Sequence, residues 1–449
     1  MSIASSRTVG PLGRRMSVVA IAGAIVASLA LTASPSSALP RQSTETTSTS
    51  PGMLITSSAV SAGVNGSAYR VEYWSESVPT NKPVMVSGLV IVPNGTAPAG
   101  GWPVVTWAHP TTGMTGNCAP SLDPPTDVPL VNHLLDEGWE VVASDYLNEN
   151  AYDTSSKALL PYGVAAEAAR NVIDIVRAAR NLPVAQASTN YLVWGFSEGA
   201  TTAMSASNIA ATYAPELTLK GTVAEATGTV SPAIVQVGLR TTDWPLLFMD
   251  VGGFNSAYGN TAAPLAQMLT PTGIKLITTV LKTEHECLNS IMGIAARYTS
   301  SQVFLPSVVR AGAALPAAWA KLIEENNPAT YTIASTAPVL LLHGTIDTTV
   351  PQALSSQLAD DLCTLKPPEQ LERWLYTGLG HNTLLGYATG PRNANGNSDA
   401  IFGSSNTIDD IVQWMSDRFT GGPWPDPYVP TGSGIPARPI PVTQTNTCG

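Results

Sequence analysis

The stretch YLVWGFSEGATTA, residues 191–203, constrains the fold more than any other part of the chain. Its first residues, Tyr191 to Trp194, form an apolar run that reads as a buried strand. Ala200, Ala203 and Met204 then recur at helical spacing. Between the two, Gly195-x-Ser197-x-Gly199 sets a serine on a sharp strand-to-helix turn. The frame alone is weak in a chain rich in glycine and serine; the strand before it and the helix after it give it weight. Ser197 is the candidate nucleophile. The rest of the chain must then supply a base, an acid and oxyanion donors.

A strand-turn-helix unit of this kind belongs in a parallel sheet, and the surrounding sequence supplies one. AYRVEYWSES and VMVSGLVIVP alternate like antiparallel strands. WPVVTWAHP and WEVVASDY are more continuously apolar, as central parallel strands are. Val164, Ala168, Val172, Ile175, Val176 and Ala179 mark one face of a helix that Pro183 ends. LKGTVAEAT, APVLLLHGT and ERWLYTGLG read as further strands, and TIDDIVQWMSDRF as a terminal helix. The alternation predicts an α/β fold with a mostly parallel central sheet and helices on both faces. About a hundred residues, 229–336, break it with helix-like sequence, too long for a loop. They are expected to form a helical insertion between a first core segment, 53–228, and a second, 337–419. Residues 420–449, rich in proline and glycine, read as an extended tail.

The base follows by elimination. The histidines are His109, His133, His285, His343 and His381. On such an elbow the partners come in chain order serine, acid, histidine. The loop after VLLLHG offers Asp347, and only His381, in LGHN, lies beyond it. A serine hydroxyl needs an imidazole to take its proton, and the imidazole needs a carboxylate to fix its tautomer. One oxyanion donor is expected at the backbone N–H of Glu198, directly after the nucleophile. The other is expected in the loop HPTTG; Pro110 has no N–H, so Thr111 is the first choice and Thr112 the next. His343 and His109 read as structural, and Asp145 as a strand-end hydrogen-bonding residue. Asp243 and Asp250, inside the insertion, have no base downstream. Glu284-His285-Glu286-Cys287 lacks the spacing that puts two histidines on one helical face, so no metal is expected. The chemistry requires no cofactor.

Composition narrows the setting. A net charge of −10 excludes attraction to nucleic acid or an anionic membrane. Arg7, Arg14 and Arg15 precede an apolar run to about Leu31, and Ser36-Ser37-Ala38 follows. That pattern predicts a signal peptide, 1–38, cleaved after Ala38, then a Ser-, Thr- and Pro-rich linker, 39–52. The protein is expected to be secreted; the Arg-Arg pair points weakly to twin-arginine export. Cys118, Cys287, Cys363 and Cys448 remain, an even number in an oxidising compartment, which suggests two disulfides and leaves their pairing open.

TWAHPTTG running into CAPS, then VWGFSEGA, HGTIDTTVP and GLGH, together resemble the secretory lipase family of α/β-hydrolases. The likeness runs from about Ser75 to Phe419. It implies Ser197, Asp347 and His381 as the triad, an ester or lipid substrate, and a helical lid over an acyl tunnel that can meet a lipid–water interface. It also implies the pairs Cys118–Cys287 and Cys363–Cys448. The chain departs from many relatives at AHP, where they read HG, and at Glu198. The expected activity is carboxylic ester hydrolysis through an acyl-enzyme. The same triad would serve an acyltransferase or a peptidase, and a non-catalytic binding protein on a hydrolase scaffold is the third reading.

Overall fold

The computed structural model describes residues 48–124, 131–281, 287–331, 337–364, 371–384, 407–422 and 442–446. The expected signal peptide, most of the linker and Cys448 lie outside them.

Among the described residues ten strands form one sheet: β1 (Leu54–Val60), β2 (Gly66–Glu76), β3 (Pro83–Pro93), β4 (Trp102–Ala108), β5 (Glu140–Ser144), β6 (Ala187–Phe196), β7 (Thr218–Glu225), β8 (Val339–Gly344), β9 (Leu371–Tyr376) and β10 (Val442–Asn446). Their spatial order is β1-β2-β3-β5-β4-β6-β7-β8-β9-β10. From β5 to β9 every neighbouring pair is parallel. The remaining strands pair antiparallel at the two sides. Strands β5 and β8 are buried along their whole length, which is why their sequences are apolar runs rather than alternations.

Helices α1 (Val131–Asp136), α2 (Ala165–Asn181) and α3 (Glu198–Tyr213) follow β4, β5 and β6 in the chain. Val172, Ile175, Val176 and Ala179 of α2 join Ala203 and Ala206 of α3 in the core on one face of the sheet. Leu134 and Leu135 of α1 lie in the core on the other face, with Trp107, Trp194 and Trp374. The chain leaves β4 toward β5 on one side and returns to β6 on the other. The strand order reverses there, and a crevice opens beyond the carboxyl ends of the strands.

Between β7 and β8 the expected insertion is helical: α4 (Pro232–Gly238), α5 (Trp244–Ala262), α6 (Leu265–Met268), α7 (Pro271–Lys275), α8 (Leu288–Ala295), α9 (Ser300–Val303), α10 (Pro306–Val309) and α11 (Ala317–Glu325). A proline stands in the first turn of α4, α5, α7 and α10. Proline starts a helix readily and breaks one already running, so the insertion is cut into short pieces. Trp244, Phe248 and Phe304 pack edge to face and hold the pieces together. Beyond β8 come α12 (Gln352–Cys363) and α13 (Thr407–Thr420), the latter burying Ile408, Ile411, Trp414 and Met415 on the α1 face.

Two elements differ from the expectation. Residues 54–60 form the edge strand β1, which the sequence did not announce. Residues 442–446 of the tail form a strand that the sequence reading did not place; it pairs with β9 and finishes the sheet on its far side. Among the described residues no helix is long and apolar enough to cross a membrane.

Candidate active site

Strand β6 ends at Phe196 and α3 begins at Glu198, so Ser197 is the whole turn. It takes φ 57° and ψ −117°, a conformation that side-chain-bearing residues rarely adopt. Its backbone N–H donates to the Glu225 carbonyl at the end of β7, 2.9 Å away. The two glycines have steric reasons. A Cβ on Gly199 would run into the Ala108 carbonyl of β4, and one on Gly195 into the Gly199 carbonyl. The turn is therefore pressed against its neighbours, and the Ser197 hydroxyl projects into the crevice.

His381 lies in the loop after β9, and Asp347 in the loop after β8. Imidazole Nε2 is 3.0 Å from Ser197 Oγ, and Nδ1 is 2.7 Å from Asp347 Oδ2. With Nδ1–H donating to the carboxylate, Nε2 is left to accept from the serine. The Phe196 ring packs beside the imidazole, with 4.9 Å between ring centroids. Asp347 Oδ1 accepts the backbone N–H groups of Thr349 and Val350, each at 2.9 Å. Burial alone would raise the Asp347 carboxyl. Hydrogen bonds from His343 and His381 and the backbone N–H of Val350 outweigh it and hold the group well below the usual carboxylate range.

His343 stands closer to the site than expected. Its Nε2 donates to the Val350 carbonyl at 2.7 Å and lies 3.4 Å from Asp347 Oδ2. Asp347 is thus flanked by two imidazoles, one facing the serine and one facing the core.

Thr111 and Thr112 follow β4 in the loop opposite the elbow. Thr111 Oγ1 and the Tyr162 hydroxyl are hydrogen-bonded at 2.7 Å. Thr112 Oγ1 donates to the buried Glu149 carboxylate at 3.0 and 3.1 Å. Glu198 occupies the first position of α3, where backbone N–H groups have no acceptor within the helix. His109 shapes this loop, as expected. Its ring stacks on Tyr146 at 4.0 Å, and its Nδ1–H donates to the Pro110 carbonyl at 2.7 Å. Burial lowers its pKa to about 4, so it stays neutral.

The insertion is stitched to the same loop. Cys118 and Cys287 form a disulfide. The Leu288 N–H donates to the Thr112 carbonyl at 2.8 Å. Cys363 is also disulfide-bonded; its expected partner, Cys448, lies outside the described residues. Residues 284–286 of the discounted metal motif lie outside them too, and Cys287 is taken by its disulfide. Over the elbow lies a cavity of about 530 Å³. Ser197, Glu198 and Thr227 line it from the core, and Ile234, Leu247 and Phe254 from the insertion. Asp243, at the head of α5, is close enough to feel the charge of His381; burial raises its pKa.

Sequence reasoning missed the approach of His343 to Asp347, and it had no means of seeing that the Glu198 carboxyl would be buried.

The fold has relatives among solved structures. Candida antarctica lipase A in its closed state superimposes with a TM-score of 0.66 at 18% identity, over 86% of each chain. The rice cell wall degrading esterase LipA from Xanthomonas oryzae gives 0.62 at 21% identity, over 82% of this chain and 99% of that one. A putative hydrolase from Legionella pneumophila gives 0.54 at 16% identity, over 73% and 92%. No curated protein matches the chain. The model of one family, described as Secretory lipase, matches residues 121–373, more than half of the sequence. That span contains Ser197 and Asp347 and ends just before His381. With this family model matched over more than half of its length, the chain belongs to the secretory lipase family.

Proposed function

We propose that the protein is a secreted carboxylic ester hydrolase that works through Ser197, His381 and Asp347 and a covalent acyl-enzyme. The observation that carries this reading is the unbroken chain of contacts from Ser197 Oγ through both ring nitrogens of His381 to Asp347. His381 Nε2 takes the serine proton as Oγ attacks the ester carbonyl, and Asp347 stabilises the imidazolium that forms. The negative charge on the former carbonyl oxygen is met by the backbone N–H groups of Glu198 and Thr111. His381 gives its proton to the departing alcohol. Water, deprotonated by the same nitrogen, then releases the acid and restores Ser197.

The insertion, 229–336, acts as a lid and lines the acyl pocket; its apolar side chains already face the cavity over Ser197. Residues 1–38 direct export, and the disulfide is in keeping with an oxidising compartment. Substrates are esters with an apolar acyl part, and contact with a lipid–water interface runs through the lid.

The test is turnover of an ester series by the mature chain together with active-site labelling. Ser197→Ala and His381→Ala should each lower kcat by about 10³ or more with the fold intact. A fluorophosphonate should label Ser197 alone. Unlabelled Ser197, or an active Ser197→Ala, would refute the mechanism.

A further inference from the structure

The apolar cavity over Ser197 contains an interruption that ester hydrolysis does not need. Glu198 and Asp250 both line it, one from the first turn of α3 and the other from α5 of the insertion. Glu198 Oε2 is buried and has no hydrogen-bond partner. The Thr111 hydroxyl acts on the same carboxyl as a hydrogen-bond donor. Asp250 makes no hydrogen bond among the described residues. The charge of Asp250 acts on the Glu198 carboxyl, and both act on the Tyr162 hydroxyl. Space for Asp250 is built in: a Cβ on Gly163, where φ is +74°, would collide with its Oδ1. Among the described residues no lysine, arginine or histidine lines the cavity to neutralise the pair.

A buried polar atom left without a partner, as Glu198 Oε2 is, is costly, so a partner is expected from elsewhere. Leu246, Leu247, Val251 and Phe254 give the cavity apolar wall, while Thr201, Thr227 and Asp243 add polar groups elsewhere on its lining. We propose that Glu198 and Asp250 form a polar subsite in the acyl cavity that selects acyl groups bearing a hydroxyl beside the ester, that is, α- or β-hydroxyacyl esters. This rests on the hydrolase reading and adds to it the class of acid released.

Position sets where the hydroxyl must be. Glu198 is the immediate neighbour of the nucleophile and lines the same cavity as Ser197, so the proposal places the hydroxyl on the first carbons of the acyl chain. Charge sets what the group must be. Burial, then the neighbouring Asp250, pushes the Glu198 carboxyl well above the usual range, and burial pushes Asp250 up to about 7. A protonated carboxyl donates one hydrogen bond, and a hydroxyl can accept it while donating to the second carboxyl. An acyl carboxylate would add one more acid to a cavity that Glu167 and Asp243 also line, with no cation among its described lining residues to meet it. A plain alkyl chain would leave Glu198 Oε2 and the Asp250 carboxyl without a partner.

The experiment compares kcat/KM for ethyl butyrate with the α- and β-hydroxybutyrate ethyl esters, both enantiomers, and with an aminoacyl ester. The readout is the ratio within one enzyme, so a general loss of activity in a variant cancels. In the wild type one hydroxy ester should be preferred roughly tenfold or more. Glu198→Met and Asp250→Leu should each bring the ratio to about one or below, since an apolar side chain leaves the hydroxyl without a partner. Glu198→Gln should keep most of the preference, because the amide still donates and accepts. A wild-type ratio at or below one, a preference that survives both apolar variants, or a stronger preference for the aminoacyl ester would overturn the subsite while hydrolysis stands. Wild-type protein inert on every ester would overturn the hydrolase reading and the subsite with it.

Discussion

Asp347 is the residue on which the site's electrostatics converge, and His343 is the neighbour that holds it there. A carboxylate that accepts two backbone N–H groups and two imidazoles has little freedom to rotate. Removing His343 leaves the Val350 carbonyl without its donor and loosens the loop that carries Asp347. His343→Ala should lower kcat by about ten- to a hundred-fold, a smaller loss than His381→Ala, with KM little changed. His343→Gln should recover part of it, because an amide N–H can reach the same carbonyl; a variant as slow as His343→Ala would show that the ring itself matters. Ser197 carries a second residue-scale consequence. Its positive φ is strained for any residue with a Cβ. Ser197→Gly should therefore unfold at a higher temperature than Ser197→Ala, by a stability difference of about 1 kcal/mol, although both are inactive. Equal melting temperatures would mean that the turn stores no strain. The serine was legible because its function forces a local pattern on the chain. The nearness of His343 to Asp347 was not, since it depends on the depth of a loop.

At the scale of elements, the sheet was legible wherever burial shaped the sequence. The apolar runs of β4, β5, β6 and β8 follow from burial on both faces, and α2 shows its buried side at helical spacing. Strand β1 left no such mark. All five residues between Leu54 and Val60 are exposed, so nothing required an alternation. Strand β10 is five residues long and sits in a proline-rich tail, where short β-branched runs carry little weight. The insertion read as helical, but its attachment to the oxyanion loop is a tertiary fact. The Cys118–Cys287 bridge spans 169 residues and lies beside the Leu288-to-Thr112 hydrogen bond. Loop-closure entropy gives such a bridge about 5 kcal/mol as an upper figure. Cys118→Ser with Cys287→Ser should lower the melting temperature and reduce kcat/KM, because the loop holding Thr111 loses its anchor. Hydrogen exchange should show faster opening in 287–309 than in β4 to β8. Unchanged exchange in the insertion would mean that the bridge acts only by restricting the unfolded chain and does not hold the loop.

At the scale of the whole molecule, what the sequence hides is where its acids go. A chain with a net charge of −10 is expected to keep its carboxylates in water, yet several are buried in this fold. Burial, opposed by hydrogen bonds, pushes Asp145 and Asp174 up to about 6 and Glu167 to about 7. Glu225, beneath the elbow, is pushed furthest of those given a value, to about 8. Its Oε1 accepts from the Trp194 indole N–H, and its Oε2 is buried without a partner. The sign of the effect follows from proton counting. Below the ordinary glutamate pKa of about 4.3, both the folded and unfolded chains hold the proton and nothing is lost. Above it the unfolded chain releases the proton and the folded chain keeps it, so the stability contributed by Glu225 is lost as pH rises through about 8. Asp347 acts in the opposite sense: its depressed carboxyl contributes stability above the ordinary aspartate pKa that disappears as pH falls. The two effects occupy different ranges and can be separated with one substitution. Glu225→Gln keeps the shape and an acceptor for Trp194 but cannot ionise. Chemical denaturation at successive pH values should give nearly parallel stabilities for the variant and the wild type below about pH 4. From there to about pH 8 the variant should gain steadily on the wild type. A gap that stays constant across that interval would mean that Glu225 ionises in the folded protein as readily as in the unfolded chain, and that water reaches the floor of the site.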